Sequence, residues 1–164
     1  MPNVKPIPPG FHAVTPYLTV QNASRAIDFY TRALGAKEIM RMDGPQGKIG
    51  HAELKIGDSI IMLSDEMPQA ATKSPQSLGG TTGSIFLYVE NADAAFDQAV
   101  AAGAKSVMRP TDMFWGDRFG SFTDPFGHSW SVATHKEDVA PEEMKKRAKD
   151  AMAKMAQQAQ HQPA

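Results

Sequence analysis

The sequence predicts an α+β fold: two βαβββ modules whose curved mixed sheets surround a pocket, followed by a C-terminal helix. Three observations lead there. A nine-residue stretch recurs at an offset of 69, alternating strands flank both copies, and glycine-bearing turns recur at matching places. Val20-Gln21-Asn22-Ala23-Ser24-Arg25-Ala26-Ile27-Asp28 aligns with Val89-Glu90-Asn91-Ala92-Asp93-Ala94-Ala95-Phe96-Asp97, five of nine positions being identical. After a one-residue gap, Gly35-Ala36-Lys37 answers Gly103-Ala104-Lys105. Internal repeats of this kind decide the architecture before any local reading does.

Each copy reads alike. A short alternating strand, Val14 to Val20 or Ser84 to Glu90, runs into an asparagine suited to cap a helix. Ala26, Ile27, Tyr30 and Leu34 then recur at helical spacing, as do Ala95, Phe96, Ala99 and Val100 in the second copy. Gly35 and Gly103 stand where a helix C-terminus favours a left-handed residue. Three strands follow the first helix: Lys37 to Met42, Ile49 to Ile56 and Ser59 to Ser64, with Asp43-Gly44 and Gly57-Asp58 as turn signals. Three follow the second: Lys105 to Arg109, Arg118 to Thr123 and Ser129 to Thr134, the last entered through Asp124-Pro125-Phe126-Gly127. The helix of such a module covers one sheet face, so the other needs a second layer or must curl around a cavity.

The remaining segments divide the chain. Residues 1–11 are a proline-bearing extension, 12–66 the first module, 67–82 a linker rich in Pro, Gly, Ser and Thr, 83–136 the second module, and 137–164 a C-terminal helix and tail. Pro141-Glu142-Glu143 starts that helix, and Met144, Ala148, Met152, Met155 and Ala159 form a narrow apolar stripe. The stripe packs on its own domain or on a partner subunit, or the segment is a disordered tail. With 41% hydrophobic residues, 21% charged residues and a net charge of −1, nothing favours nucleic acid or a membrane surface as partner. Cysteine is absent, which excludes disulfides, thiol nucleophiles and thiolate metal sites and suits a reducing cytoplasm. No signal peptide or membrane span can be read, so a cytoplasmic location is expected. Nor is there a Gly-rich phosphate loop, a Gly-x-Ser-x-Gly elbow or a His-Glu-x-x-His pair.

Four local signatures in order carry a resemblance: His51-Ala52-Glu53-Leu54, Ile61-Met62-Leu63-Ser64-Asp65-Glu66, Phe114-Trp115-Gly116-Asp117-Arg118-Phe119-Gly120 and Asp124-Pro125-Phe126-Gly127-His128-Ser129-Trp130. From about His12 to His135 the chain resembles the vicinal oxygen chelate superfamily, which holds glyoxalases, bleomycin-resistance proteins and dioxygenases, and within it the PhnB-like subgroup. In the metal-dependent members, the first and fourth strands of each module supply His, Glu or Gln ligands to one divalent ion. By that resemblance the four positions here are Thr15, Met62, Ser84 and Ser131, and a two-residue shift brings Tyr17, Phe86 and Ala133 instead. Neither set offers a hard ion imidazole or carboxylate, so no metal is assigned.

If Thr15 faces the pocket, alternation turns Tyr17, Thr19, Ser84, Phe86, Tyr88, Met62, Ser129, Ser131 and Ala133 toward it as well. Leu18, Val20, Ile61, Leu63, Trp130 and Val132 then back onto the helices. Tyr17, Met62, Phe86 and Tyr88 make a wall for a planar or partly apolar molecule, unless they fill the space themselves. Trp115 and Arg118 bracket a turn. They either close over a ligand, the guanidinium meeting an anionic group, or fix the loop through Asp117. His51 and Glu53 share a strand face, as a catalytic or metal-holding pair or as a structural polar pair. His12, His128 and His135 are expected to serve strand geometry. The expected function is therefore a metal-independent small-molecule-binding protein without cofactor, holding an aromatic or amphipathic ligand in a pocket between modules. The alternative is a lyase, isomerase or transferase that uses His51 and Glu53, with or without a divalent metal at a non-standard site. The resemblance further implies a homodimer with a shared pocket.

Overall fold

The computed structural model describes residues 4–160. Two four-stranded mixed sheets carry the architecture, and the helices pack on one side of each. In the first module β1 (Tyr17–Val20) leads into α1 (Ala23–Leu34), then β2 (Lys37–Asp43), β3 (Ile49–Ile56) and β4 (Ser59–Asp65), with sheet order β1-β4-β3-β2. After a one-turn helix, α2 (Pro75–Leu78), the second module repeats the plan. It comprises β5 (Ser84–Tyr88), α3 (Ala92–Ala101), β6 (Lys105–Asp112), β7 (Asp117–Thr123) and β8 (Ser129–His135), in order β5-β8-β7-β6. β1 pairs with β4, and β5 with β8, in parallel, while the other pairs are antiparallel. A C-terminal helix, α4 (Pro141–Gln160), follows.

The repeat is repeated in the bonding. Asn22 and Asn91 adopt extended backbone and accept from the N–H of Arg25 and Ala94, so each caps its helix. A second acceptor completes each cap. The Asp65 carboxylate takes the Ala23 N–H at 2.9 Å, and the Thr134 hydroxyl takes the Ala92 N–H at 2.8 Å. Asp65 and Thr134 are separated by the same 69 residues as the repeat. Gly35 and Gly103 end the helices at φ of 63° and 117°, which a side chain would resist.

The core lies on the helical side of both sheets. Ala26, Ile27, Phe29, Tyr30 and Ala33 of α1 and Phe96 and Ala99 of α3 meet Leu18, Val20, Leu54, Leu63, Phe122, Trp130 and Val132 in one continuous cluster. Burying each large side chain contributes about 1.5–3 kcal/mol. The modules are also stitched by polar bonds. Tyr30 donates to buried Asp124 at 2.7 Å, Trp130 donates to the same oxygen at 2.9 Å, and the His128 ring meets the Thr19 carbonyl at 3.1 Å. His128, expected only to serve its strand, thus spans two modules.

Some boundaries differ from expectation. β1 starts at Tyr17 because Pro16 offers its carbonyl to Met62 but has no N–H, and Thr15 lies before the strand with its hydroxyl on the His12 carbonyl. β6 runs on to Asp112 through an irregularity at Pro110, over which Gly120 leaves space. Between the modules, Ser74 is fully buried and caps α2, so this segment is docked. α4 half-buries Met144 and Ala148, whereas Met152 and Met155 are exposed. The side chain of Ala159 and all of His161 lie outside the described residues. Among the described residues no helix is long and apolar enough to cross a membrane.

Candidate functional site

Because strand side chains alternate, the faces turned away from the helices collect every second residue. On the first sheet these include Tyr17, Met62, His51, Glu53, Met40 and Met42. Pairing sets Tyr17 beside Met62, Met62 beside Glu53, Glu53 beside Met40 and His51 beside Met42. His51 is the hub. Its Nδ1 lies 3.1 Å from the Tyr17 hydroxyl and its Nε2 3.4 Å from Glu53 Oε1, with the two side chains 17% and 15% exposed. An imidazole between a phenol and a carboxylate can relay a proton between them.

The corresponding face of the second sheet is aromatic. Phe86 and Tyr88 of β5 and Phe119 of β7 stand around the small residues Ser131 and Ala133 of β8. Ring centroids are 5.1 Å apart for Phe86–Tyr88, 5.6 Å for Phe86–Phe119 and 5.8 Å for Trp115–Phe119. Buried Asp117 closes the circuit, since its Oδ2 accepts from both the Tyr88 hydroxyl and the Trp115 indole, each at 3.1 Å. Its Oδ1 lies 2.8 Å from His135 Nδ1, and His135 Nε2 lies 3.0 Å from Asp138. Those two carboxylates, Asp117 first, raise the His135 pKa, and the bond to Asp117 raises that of Tyr88, which stays a neutral donor.

Arg118 requires a correction. Trp115 and Arg118 were left either to close over a ligand or to fix the loop through Asp117, and Arg118 does neither: alternation along β7 sends Asp117 and Phe119 to the aromatic face and Arg118 to the helical side. There its guanidinium forks onto Asp93 in the first turn of α3 and reaches Asp112 at 3.2 Å. These bonds raise the arginine pKa and hold Asp93 below the usual carboxylate range. Nor does one chain gather the remaining candidates on one wall. Tyr17, His51, Glu53 and Met62 belong to the first sheet, and Phe86, Tyr88 and Trp115 to the second. Phe86 and Tyr88 have a further setting: they edge a crevice of about 720 Å³ at the seam between modules, with Leu34, Ile56, Leu87 and Gln98.

The positions that the resemblance assigns to metal ligands do not suit a hard divalent ion. Thr15 and Ser84 would stand for them in one register, Tyr17 and Phe86 in the other, with Met62 and Ser131 opposite the latter pair. His51 and Glu53 give two donors from one strand, and among the described residues no three His, Asp or Glu side chains are arranged so that they could hold a metal ion. Sequence reasoning missed Asp117, Phe119 and His135 as parts of this face. The signal was available: extending the inward alternation of Ser131 and Ala133 by one step reaches His135.

The model of the glyoxalase/bleomycin resistance protein/dioxygenase superfamily matches residues 10–132. An uncharacterized protein of Mycobacterium tuberculosis is 44% identical over 135 residues, covering 80% of this chain and 79% of that protein. Protein YjdN of Escherichia coli is 32% identical over 145 residues, covering 76% and 96%. Among solved structures, the product of Arabidopsis thaliana At5g48480 aligns with a TM-score of 0.62 at 29% identity, covering 75% of this chain and 98% of that one.

Proposed function

The chain belongs to the glyoxalase/bleomycin resistance protein/dioxygenase superfamily, and from that premise we propose that it is a metal-independent binding protein for a small aromatic or amphipathic molecule. The observation that carries this reading is the setting of Phe86 and Tyr88. They are 46% and 65% exposed and stand with Phe119 and Trp115 on the uncovered aromatic face of the second sheet. An uncovered aromatic cluster of this kind stabilises a stacked planar ligand without any metal. Side chains at the superfamily's ligand positions support the same reading, since hydroxyls, a thioether and aromatic rings make a poor cage for a hard ion.

The pocket is completed by a second copy of the chain. β1 and β5 each have only one neighbour strand, and the uncovered faces expose Tyr17, Met40, Met42, Phe86 and Tyr88. Sedimentation at micromolar concentration should therefore give a homodimer, and a monomer would remove this part. The units 12–66 and 83–136 act as the two walls, and the absence of cysteine suits a cytoplasmic site of action.

Binding is tested with the neutral fluorescent dye N-phenyl-1-naphthylamine. The wild-type protein should bind it saturably, and Phe86→Ala or Tyr88→Ala should weaken binding at least about tenfold, as loss of a stacking ring at a well-packed contact does. Unchanged affinity in both variants overturns the assignment. One observation favours a second reading, proton-transfer catalysis by a lyase, isomerase or transferase: the Tyr17–His51–Glu53 series. There His51→Ala should abolish turnover of a substrate while leaving the melting temperature nearly unchanged.

A further inference from the structure

The charge on the aromatic face is opposite to the one Arg118 would bring if it closed over a ligand. Arg118 is on the other side of β7 and saturated by Asp93 and Asp112. Lys136 lies toward the same side, acting on Asp93. Lys105 pairs with Thr123 at the far end of the sheet. What stands among the rings instead is the Asp117 carboxylate, 4% exposed, with Asp138 at the rim. Between the two lies one imidazole, His135, so either protonation state of His135 leaves this end of the face negative.

We infer that the ligand of this face is an organic cation, an aromatic or aliphatic ammonium whose charged head lies on the rings of Tyr88, Phe86, Phe119 and Trp115 above Asp117. The inference rests on the reading of this face as a ligand site and names the ligand class. Ring faces attract cations through their quadrupole, best when the site is partly desolvated. Here two of the rings donate hydrogen bonds to a carboxylate, Tyr88 through its hydroxyl and Trp115 through its indole N–H, both to Asp117 Oδ2. Donation to an anion pushes electron density back into the ring and makes its face more negative. The carboxylate also adds direct attraction, and because its oxygens are occupied by Tyr88, Trp115 and His135 it acts through space rather than by binding the head directly. A quaternary ammonium, which has no N–H to offer, suits that arrangement.

The test uses three naphthalene probes of similar size as competitors for the neutral dye. They are a trimethyl(2-naphthylmethyl)ammonium ion, its neutral carbon isostere 2-neopentylnaphthalene, and naphthalene-2-sulfonate. The ammonium should displace the dye at a concentration at least about tenfold lower than the isostere, the scale of a partly desolvated cation–π contact. Trp115→Leu should erase most of that preference while changing isostere affinity much less. Asp117→Asn should do the same, with circular dichroism confirming its fold. An isostere or sulfonate that matches or beats the ammonium overturns the charge assignment while the ligand-site reading stands. Failure of the dye itself to bind overturns the ligand site and this inference together.

Discussion

Replacing Tyr30 by phenylalanine tests how firmly the two modules are joined. The change deletes one oxygen from a fully buried ring and leaves the ring's packing against Trp130 and Phe126 in place. The lost bond is 2.7 Å long and runs to the buried Asp124 carboxylate. Asp124 keeps three donors, from Trp130 and the N–H groups of Phe126 and His128, so it is not orphaned. A hydrogen bond to a charged acceptor contributes about 1.5–3 kcal/mol, which sets the expected loss at about 2 kcal/mol. With a urea slope of about 2 kcal/mol per molar, the midpoint should fall by about 1 M. Asp124→Asn supplies the second arm of a cycle. Its one carbonyl oxygen must serve Phe126 and His128, which turns the amide N–H₂ toward Tyr30 and Trp130. The phenol can accept from it, but the indole cannot, so Asp124→Asn alone should cost about 2–4 kcal/mol. In that background Tyr30→Phe should cost under about 1 kcal/mol, giving a coupling energy of about 1 kcal/mol or more. Burial and then Asp124 raise the Tyr30 pKa, so the phenol remains a donor across the usable range. A loss below about 0.5 kcal/mol in wild type, or an equal loss in both backgrounds, would refute this account of the bond.

Three other perturbations follow from the same geometry. Arg118→Ala should lower the melting temperature by releasing Asp93 and the start of α3, yet leave dye binding unchanged, and a tenfold loss of binding would return Arg118 to the ligand site. His135 has a folded pKa raised above 6.5 by Asp117 and Asp138, so its stabilisation is complete below the unfolded value and vanishes as pH rises through the folded one. The melting-temperature gap between wild type and His135→Gln should therefore be wider at about pH 5.5 than at about pH 9, and the reverse order would contradict the assigned bonds. Glu66 is held at a pKa of about 2, chiefly by its bonds to Ser74 and Ser77. Its contribution is present above the unfolded value and fades as pH falls toward 2, so Glu66→Gln should destabilise the protein at neutral pH and lose its effect in strong acid, as thermal melts would show.

Alternation and the repeat made much of this legible. Leu18, Val20, Leu63, Trp130 and Val132 were assigned to the helical side from period alone, and Tyr17, Met62, Phe86, Tyr88 and Ser131 to the opposite side. Those assignments depend only on where a strand runs, and apolar spacing states that plainly. What failed was local in one case and distant in the other. Arg118 heads a strand whose alternation also sends Phe122 into the core, so its parity turns it to the helical side, which reading it beside the turn overlooks. Asp117 looked like a turn acid, and only the folding of β5, β8 and the β6–β7 loop around the start of β7 surrounds it with Tyr88, His135 and Trp115. The helical turn at Pro75 was hidden in a segment rich in breakers because its support, Glu66 bonding to Ser74 and Ser77, comes from the end of β4. Which uncovered face meets which has no local signature, since neither pattern refers to the other.

If a second copy completes the pocket, as proposed, two unlike faces turned away from a shared helical layer would give this chain a valence of two. Any assembly that sets the first face of one copy on the second face of another leaves each copy with one more face to offer. Two copies closed about a twofold axis satisfy all four at once and contain two identical chambers. A modest rotation away from closure gives an open string instead. In such an assembly the segments that fix the angle between the modules, α1 against α3 and Tyr30 against Asp124, would also set whether copies end in a finite particle or grow. A variant that loosens that angle should reveal itself first as polymer in light scattering, before any loss of helix is seen.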